Sequence, residues 1–206
     1  MKSNLFFLAA TCLMATASVS QFGCSTAPVP KADTVDVPKE MSHADMVDRG
    51  KYLVTAIGCK HCHTPKVMTA MGPVADSTRM LSGHPANQPF GSFDKIMLKP
   101  GFGAYIGPDF SSFLGPWGVS FSANLTPDSA TGIGSWDAHT FMKTLRTGKH
   151  LGQDGGRGIM PPMPYDSYAM FSDDDLKSIF AFLQSIPAIS NKVPAAISPE
   201  DLAKMK

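Results

Sequence analysis

The chain has 206 residues and a formal net charge of +1, with 17% charged and 43% hydrophobic residues. That length suits one domain with extensions. Neither a basic groove for nucleic acid nor an acidic tail follows from that charge balance.

The first segment reads as a targeting element. Lys2 precedes "LFFLAATCLMATASV", Leu5 to Val19, which carries no charge. A basic start followed by a short apolar run predicts an export signal over residues 1–23, and the run is too short for a comfortable membrane span. In "QFGCS", Gly23 precedes Cys24, an arrangement that resembles the processing site of bacterial lipoproteins, although Gln21 departs from the usual aliphatic residue there. Two readings of Cys24 stand: a lipid anchor to a membrane, or a free thiol left by plain cleavage nearby. Residues 24–41 are Pro-rich, polar and aperiodic, which predicts an extended tether. Lys2 is the only charge before Cys24, so the processed chain is close to neutral and long-range steering is weak.

Folded structure begins at Ser42, a good N-cap. Met46, Tyr52, Leu53, Ala56 and Ile57 recur near helical spacing, which predicts a helix over 43–57 that ends near Gly58. Immediately after comes "CKHCHTP", Cys59 to Pro65. A disulfide between Cys59 and Cys62 would mark a redox motif, but those motifs open the helix of a βαβ unit, and no such pattern follows here. Zinc takes about four ligands, and no second cluster supplies the rest. Cys-x-x-Cys-His is the signature of covalent haem attachment. Two thiols add across the porphyrin vinyl groups, and the adjacent His63 coordinates iron from one side. A short helical turn brings both sulfurs and the imidazole to one edge of a flat ring. His61 falls at a linker position. The cofactor expected is one covalently bound haem c, and export agrees with it because haem c is attached outside the bacterial cytoplasm.

From Thr64 to Gly134 periodicity largely vanishes, and the stretch holds ten glycines and eight prolines. A structureless loop of that length is improbable in a compact domain; packing against the faces of a large ring resolves the difficulty. Trp117, Val119 and Phe121 alternate with Gly118, Ser120 and Ser122, which predicts one short strand paired in a β-hairpin with residues 104–106. "LSGHP" carries His84 and receives no assignment; a loop histidine is the plain reading, and a bis-histidine site the rival.

Helical signals return in "GSWDAHTFMKTLRTGKH", with Ser135 as the expected cap, Trp136, Phe141, Met142 and Leu145 on one face, and Gly148 as the stop. A glycine-rich turn leads into "MPPMPY". Met163 lies between Pro162 and Pro164, whose fixed φ and missing amide donors make a stiff segment able to hold a thioether at a set distance from iron. Met160 is its close rival as the second axial ligand. Arg157 fits a haem propionate or open solvent equally well, while Trp136 and Tyr165 are expected near the ring. "SDDDLKSIFAFLQSIP" is a strong helix: Ser172 caps it, Asp173 to Asp175 favour its positive end, and Leu176, Ile179, Phe180 and Leu183 form the stripe. Residues 191–206 read as a tail with a last turn or two after Ser198.

The phrases "RGKYLVTAIGCKHCH", "NLTPDSATGIGSW", "MPPMPY" and "FSDDDLKSIFAFLQSIP" together resemble class I c-type cytochromes. Within that family they look most like the cytochrome c domains of bacterial membrane-bound alcohol and gluconate dehydrogenase cytochrome subunits, over roughly residues 48–190. The resemblance implies a mainly α, haem-wrapped domain over 42–190; the Gly/Pro-rich segment 67–122, which holds the short β-hairpin expected from alternation, is longer than a minimal domain of that family needs and departs from it. It matches Cys59 and Cys62 to the thioether cysteines, His63 to the proximal ligand and Met163 to the distal one. It also implies crossed first and last helices, with Gly50, Tyr52 and Leu53 facing Phe180 and Leu183. Those dehydrogenase subunits typically carry three haem domains, whereas this chain has one Cys-x-x-Cys-His.

The expected function is an exported, periplasmic monohaem cytochrome that passes single electrons between a dehydrogenase donor and a respiratory acceptor such as an oxidase. It is an electron-transfer protein and not an enzyme. Two alternatives stand beside it: an open-site haem enzyme acting on peroxide or nitrogen oxides, and a permanent electron-transfer subunit of a membrane-bound dehydrogenase.

Overall fold

A computed structural model describes residues 40–88, 90, 94, 96, 99, 101 and 103–205. The expected export signal, Cys24 and all of the tether before residue 40 lie outside the described residues.

Helix α1 spans His43–Ala56, and the Ser42 side chain accepts from the Asp45 amide at its start. Helix α5 spans Asp173–Ser185, with Ser172 accepting from the Asp175 amide. These two helices cross in close contact. Gly50 allows it: a Cβ there would overlap the Ser178 carbonyl oxygen and stand 2.8 Å from the Phe182 Cβ. The main core gathers Leu53 and Val54 from α1 with Leu176, Ile179 and Leu183 from α5. Phe141 and Leu145 join them from α3, Ala138–Thr147. Arg49 and Asp175 pair across the crossing at 2.6 Å.

Two expected contacts differ. Tyr52 is 66% exposed and stands outside the crossing. Phe180 turns toward α3, where its ring lies 5.4 Å from that of Phe141. Helix α3 also starts later than expected, because Asp137 accepts from the Thr140 amide at 2.7 Å while Trp136 is still in a turn bonded to Ile133. A carboxylate at the N-cap outcompetes Ser135, which lies two residues too early to reach the first free amides. Gly148 ends the helix in the left-handed region, as expected.

The glycine- and proline-rich stretch contains two small antiparallel sheets. Strands β1, Lys66–Thr69, and β2, Gly72–Ala75, form a projecting hairpin. The second sheet has the order β3-β4-β5, from Tyr105–Ile106, Ser112–Gly115 and Gly118–Phe121. The direct partner of β5 is therefore β4, and residues 105–106 pair on the far side of β4. The short strand expected from the alternation is present as β5, and only its partner differs, because β4, joined to it by a tight turn, takes the adjacent edge.

Elsewhere polar side chains replace a periodic core. Asn124 accepts from the Thr126 amide and hydroxyl and donates to the Ile189 carbonyl. Asp128 accepts from the Ala130 and Thr131 amides. Asn191 donates to the carbonyls of Ser82 and His84. Such side-chain bonds satisfy loop backbone that has no ladder of its own. The C-terminal stretch is also more firmly held than expected. Ile197 and Val119 exchange both backbone bonds, at 2.9 and 3.0 Å. Leu202 of α6, Pro199–Lys204, is fully buried against Leu114 and Val119. The unit Glu40–Lys206 is compact.

Candidate functional site

The attachment turn is a helix in its own right. Gly58 takes φ of 78°, a left-handed conformation that costs glycine little, and this redirects the chain after α1. Helix α2, Cys59–His63, then carries both cysteines and His63 on one short turn. Cys59 and Cys62 are half-buried free thiols. Burial pushes the Cys59 thiol up to about 11 and raises that of Cys62 as well. Among the described residues no three His, Cys, Asp or Glu side chains gather to hold a metal ion. The two thiols are unpaired, so the disulfide reading finds no support.

His63 is 8% exposed. Its Nδ1 lies 2.8 Å from the Ala123 carbonyl oxygen. A carbonyl only accepts, so Nδ1 carries the proton and donates, leaving the lone pair on Nε2. A metal-binding imidazole is usually held this way, with its other nitrogen donating to a carbonyl or carboxylate that sets tautomer and ring orientation. Burial lowers the His63 pKa, more than the Ala123 bond raises it, which also favours the neutral ring. His61 is exposed, in keeping with a linker position.

The surroundings fasten this turn. Lys66 donates to the His61 and Thr64 carbonyls. Gly83 donates its amide to the His63 carbonyl at 2.7 Å, and Leu81 donates to the Thr64 hydroxyl. The unassigned "LSGHP" phrase is therefore a clamp on the residues next to the attachment turn. His84 itself is fully buried, with Nδ1 at 2.7 Å from the Ser111 hydroxyl and Nε2 at 3.1 Å from the Gln88 carbonyl. Both ring nitrogens are engaged, which leaves the bis-histidine rival without a free donor.

Met163 lies between the α3 loop and α4, Tyr165–Tyr168. It is half-buried, and it packs against the main apolar cluster together with Cys59, Leu125, Trp136 and Tyr165. Met160 is half-buried too but is not among the described residues on that cluster. Trp136 also meets His150 edge-on at 5.7 Å. Arg157 is exposed. One neighbour escaped sequence reasoning. The Tyr168 phenol is pushed up, first by burial and then by the nearby Cys59 and Cys62. Tyr168 of α4 thus stands near the two cysteines, and no spacing rule could have linked residues so far apart.

The donor set fits haem c: two unpaired thiols, an imidazole with Nε2 free, and a thioether on the same apolar cluster as one of the thiols. A separate shallow groove of about 370 Å³, lined in part by Gln88, Phe90, Phe121 and Ile197, contains none of these residues.

No family model matches the chain. It is similar to curated proteins named as cytochrome c subunits. It is 39% identical over 82 residues to the cytochrome c subunit of an alcohol dehydrogenase (quinone) from Gluconobacter oxydans, covering 38% of this chain and 16% of that protein. It is 31% identical over 137 residues to the cytochrome c subunit of a gluconate 2-dehydrogenase from Pantoea cypripedii, covering 66% and 22%. A diheme cytochrome c-type protein from Cereibacter sphaeroides matches at 27% identity over 155 residues, covering 75% and 40%. The chain spans less than half the length of each of these curated relatives. The resemblance to cytochrome c subunits of dehydrogenases therefore holds in sequence as well as in motif.

Proposed function

We propose that the chain is an exported monohaem c-type cytochrome that accepts single electrons from a dehydrogenase and passes them to a respiratory acceptor. Cys59 and Cys62 would hold haem c through two thioethers, with His63 as the proximal ligand and Met163 as the distal one. The observation that carries this reading is the 2.8 Å bond from His63 Nδ1 to the Ala123 carbonyl, within a Cys-x-x-Cys-His turn, which leaves Nε2 available to iron. Bound haem supplies reversible one-electron chemistry at iron. The protein residues tether the ring, fix the imidazole tautomer and surround the site with apolar side chains. With Met163 and His63 as its two protein donors, a bound haem would have a raised reduction potential and little access for exchangeable ligands, which would suit electron transfer without substrate turnover.

One haem per chain follows from the single Cys-x-x-Cys-His motif. Export to the periplasmic side of a bacterial membrane, with or without a lipid on Cys24, follows from the sequence of residues 1–24. Among the described residues no helix is long and apolar enough to cross a membrane. The relatives' names favour a second reading, in which the chain is a permanent subunit of a dehydrogenase complex.

Intact mass and absorption spectra of the mature protein, expressed with haem-attachment machinery, test the proposal. The mass should exceed that of the processed chain by one haem, and a mature protein without covalent haem defeats the reading. Gentle solubilisation followed by sizing separates the two modes: co-migration with a dehydrogenase subunit supports the complex, and migration alone supports the shuttle.

A further inference from the structure

The Met163 segment has little backbone support of its own. Pro161, Pro162 and Pro164 have no amide proton to donate. Met163 makes a long amide bond of 3.3 Å to Met160, and its carbonyl accepts from Tyr165 at 2.9 Å. Both bonds stay within the segment. A bond from outside comes from β5: the Ser120 hydroxyl donates to the Pro161 carbonyl oxygen at 2.5 Å, across 41 residues of sequence.

Ser120 is well placed to act as a fixed post. It is 7% exposed and sits opposite Phe113 in the register of β4 and β5. On the preceding residue, Val119 is bonded on its other edge to Ile197. Three residues beyond Ser120, the Ala123 carbonyl receives His63 Nδ1. One short run, residues 120–123, therefore touches both the ring of the proximal histidine and the backbone two residues before Met163. The run is braced by Ser122, whose amide donates to the Ser111 carbonyl and whose carbonyl accepts from the His84 amide, each at 2.9 Å.

We propose that Ser120 is a positioning residue for the distal ligand: its bond to Pro161 fixes the Met163 loop relative to the imidazole that Ala123 orients. This rests on the assignment of Met163 given above. Loss of the bond removes a tie between the segment and β5 and frees a segment with few other restraints, so the Met163 sulfur should be displaced more readily by an outside ligand. The loss of one hydrogen bond predicts a change of about fivefold.

The test is imidazole binding to the oxidised, haem-loaded full chain, followed by absorption, for wild type, S120A, S120T, S120C and M163A. S120A should bind imidazole about fivefold more tightly, and S120C, close in size but a weak donor, should behave like it. S120T keeps the hydroxyl and should remain near wild type. The reduction potential should fall in S120A and S120C and recover in S120T, a pattern that general loss of stability does not produce. If S120A fails to retain haem, S120C carries the comparison. Should M163A bind imidazole no more tightly than wild type, the distal assignment fails, and the role of Ser120 with it. Should M163A bind far more tightly while S120A and S120C match wild type, the inference about Ser120 alone is overturned.

Discussion

Gly50 in α1 lies directly against the Ser178 carbonyl in α5, so close that a single added carbon would overlap the oxygen. The crossing of the two helices is set by that contact, and the core residues Leu53, Val54, Ile179 and Leu183 close around it. Replacing Gly50 with alanine must push the helices apart or bend one of them. Overpacking of this kind costs about 1–3 kcal/mol, and here the obstacle is backbone. The expected outcome is a clear loss of stability in thermal or denaturant unfolding. An unfolding midpoint equal to wild type would contradict the crossing.

On the proposed assignment, His63→Ala removes an iron ligand but leaves both thioether cysteines. Intact mass should still report one covalent haem, whereas the oxidised absorption spectrum should change to that of a site lacking its histidine. Cys59→Ala with Cys62→Ala should instead yield protein whose haem is extracted by acid and solvent. A spectrum unaffected by His63→Ala would remove it as the proximal ligand.

Met163 and Met160 are separable by substitution. A methionine opposite histidine raises the potential, so Met163→Ala should lower it and open the iron to carbon monoxide in the reduced state. Met160→Ala should leave both properties close to wild type, because Met163 and not Met160 packs on the cluster that includes Cys59. The opposite pattern in potentiometric titration would exchange the two roles.

Asp76 gives a pH dependence with a definite sign. Its carboxylate accepts from the Thr78 amide and hydroxyl and pairs with Arg79 at 2.8 Å. Bonds from Thr78 and then Arg79 hold its pKa down from 3.8 to about 2. The folded state therefore binds the proton less readily than the unfolded state. Its contribution is full above 3.8 and is lost as pH falls from there toward 2. Asp76→Asn should make the urea midpoint less steeply dependent on pH across that window. An unchanged slope would show that the carboxylate is not linked to folding.

Much of the local structure was legible in the sequence because it depends on residues a few positions apart. Ser42 and Ser172 cap their helices, Gly148 stops α3, and the stripe of Leu176, Ile179 and Leu183 is buried as its spacing implies. The start of α3 was misread because Ser135 and Asp137 both qualify as caps, and the choice depends on the turn before them. The strand β5 was legible, but its partner was not, because β4 carries no alternating pattern: all four of its residues are buried.

By itself the sequence determined helices α1 and α5, the end of α3, the attachment turn with Cys59, Cys62 and His63, and the stiff proline frame around Met163, since each depends on short-range spacing and backbone chemistry. The tertiary structure alone decided that Ala123 orients the His63 ring, that Ser120 holds the Pro161 carbonyl, and that Tyr168 stands near the two cysteines. It also made "LSGHP" a clamp and bound the C-terminal stretch to β5. These contacts join residues tens of positions apart through carbonyls and hydroxyls. Backbone carbonyls are present in every residue, and only the folded path of the chain selects which of them a given side chain meets.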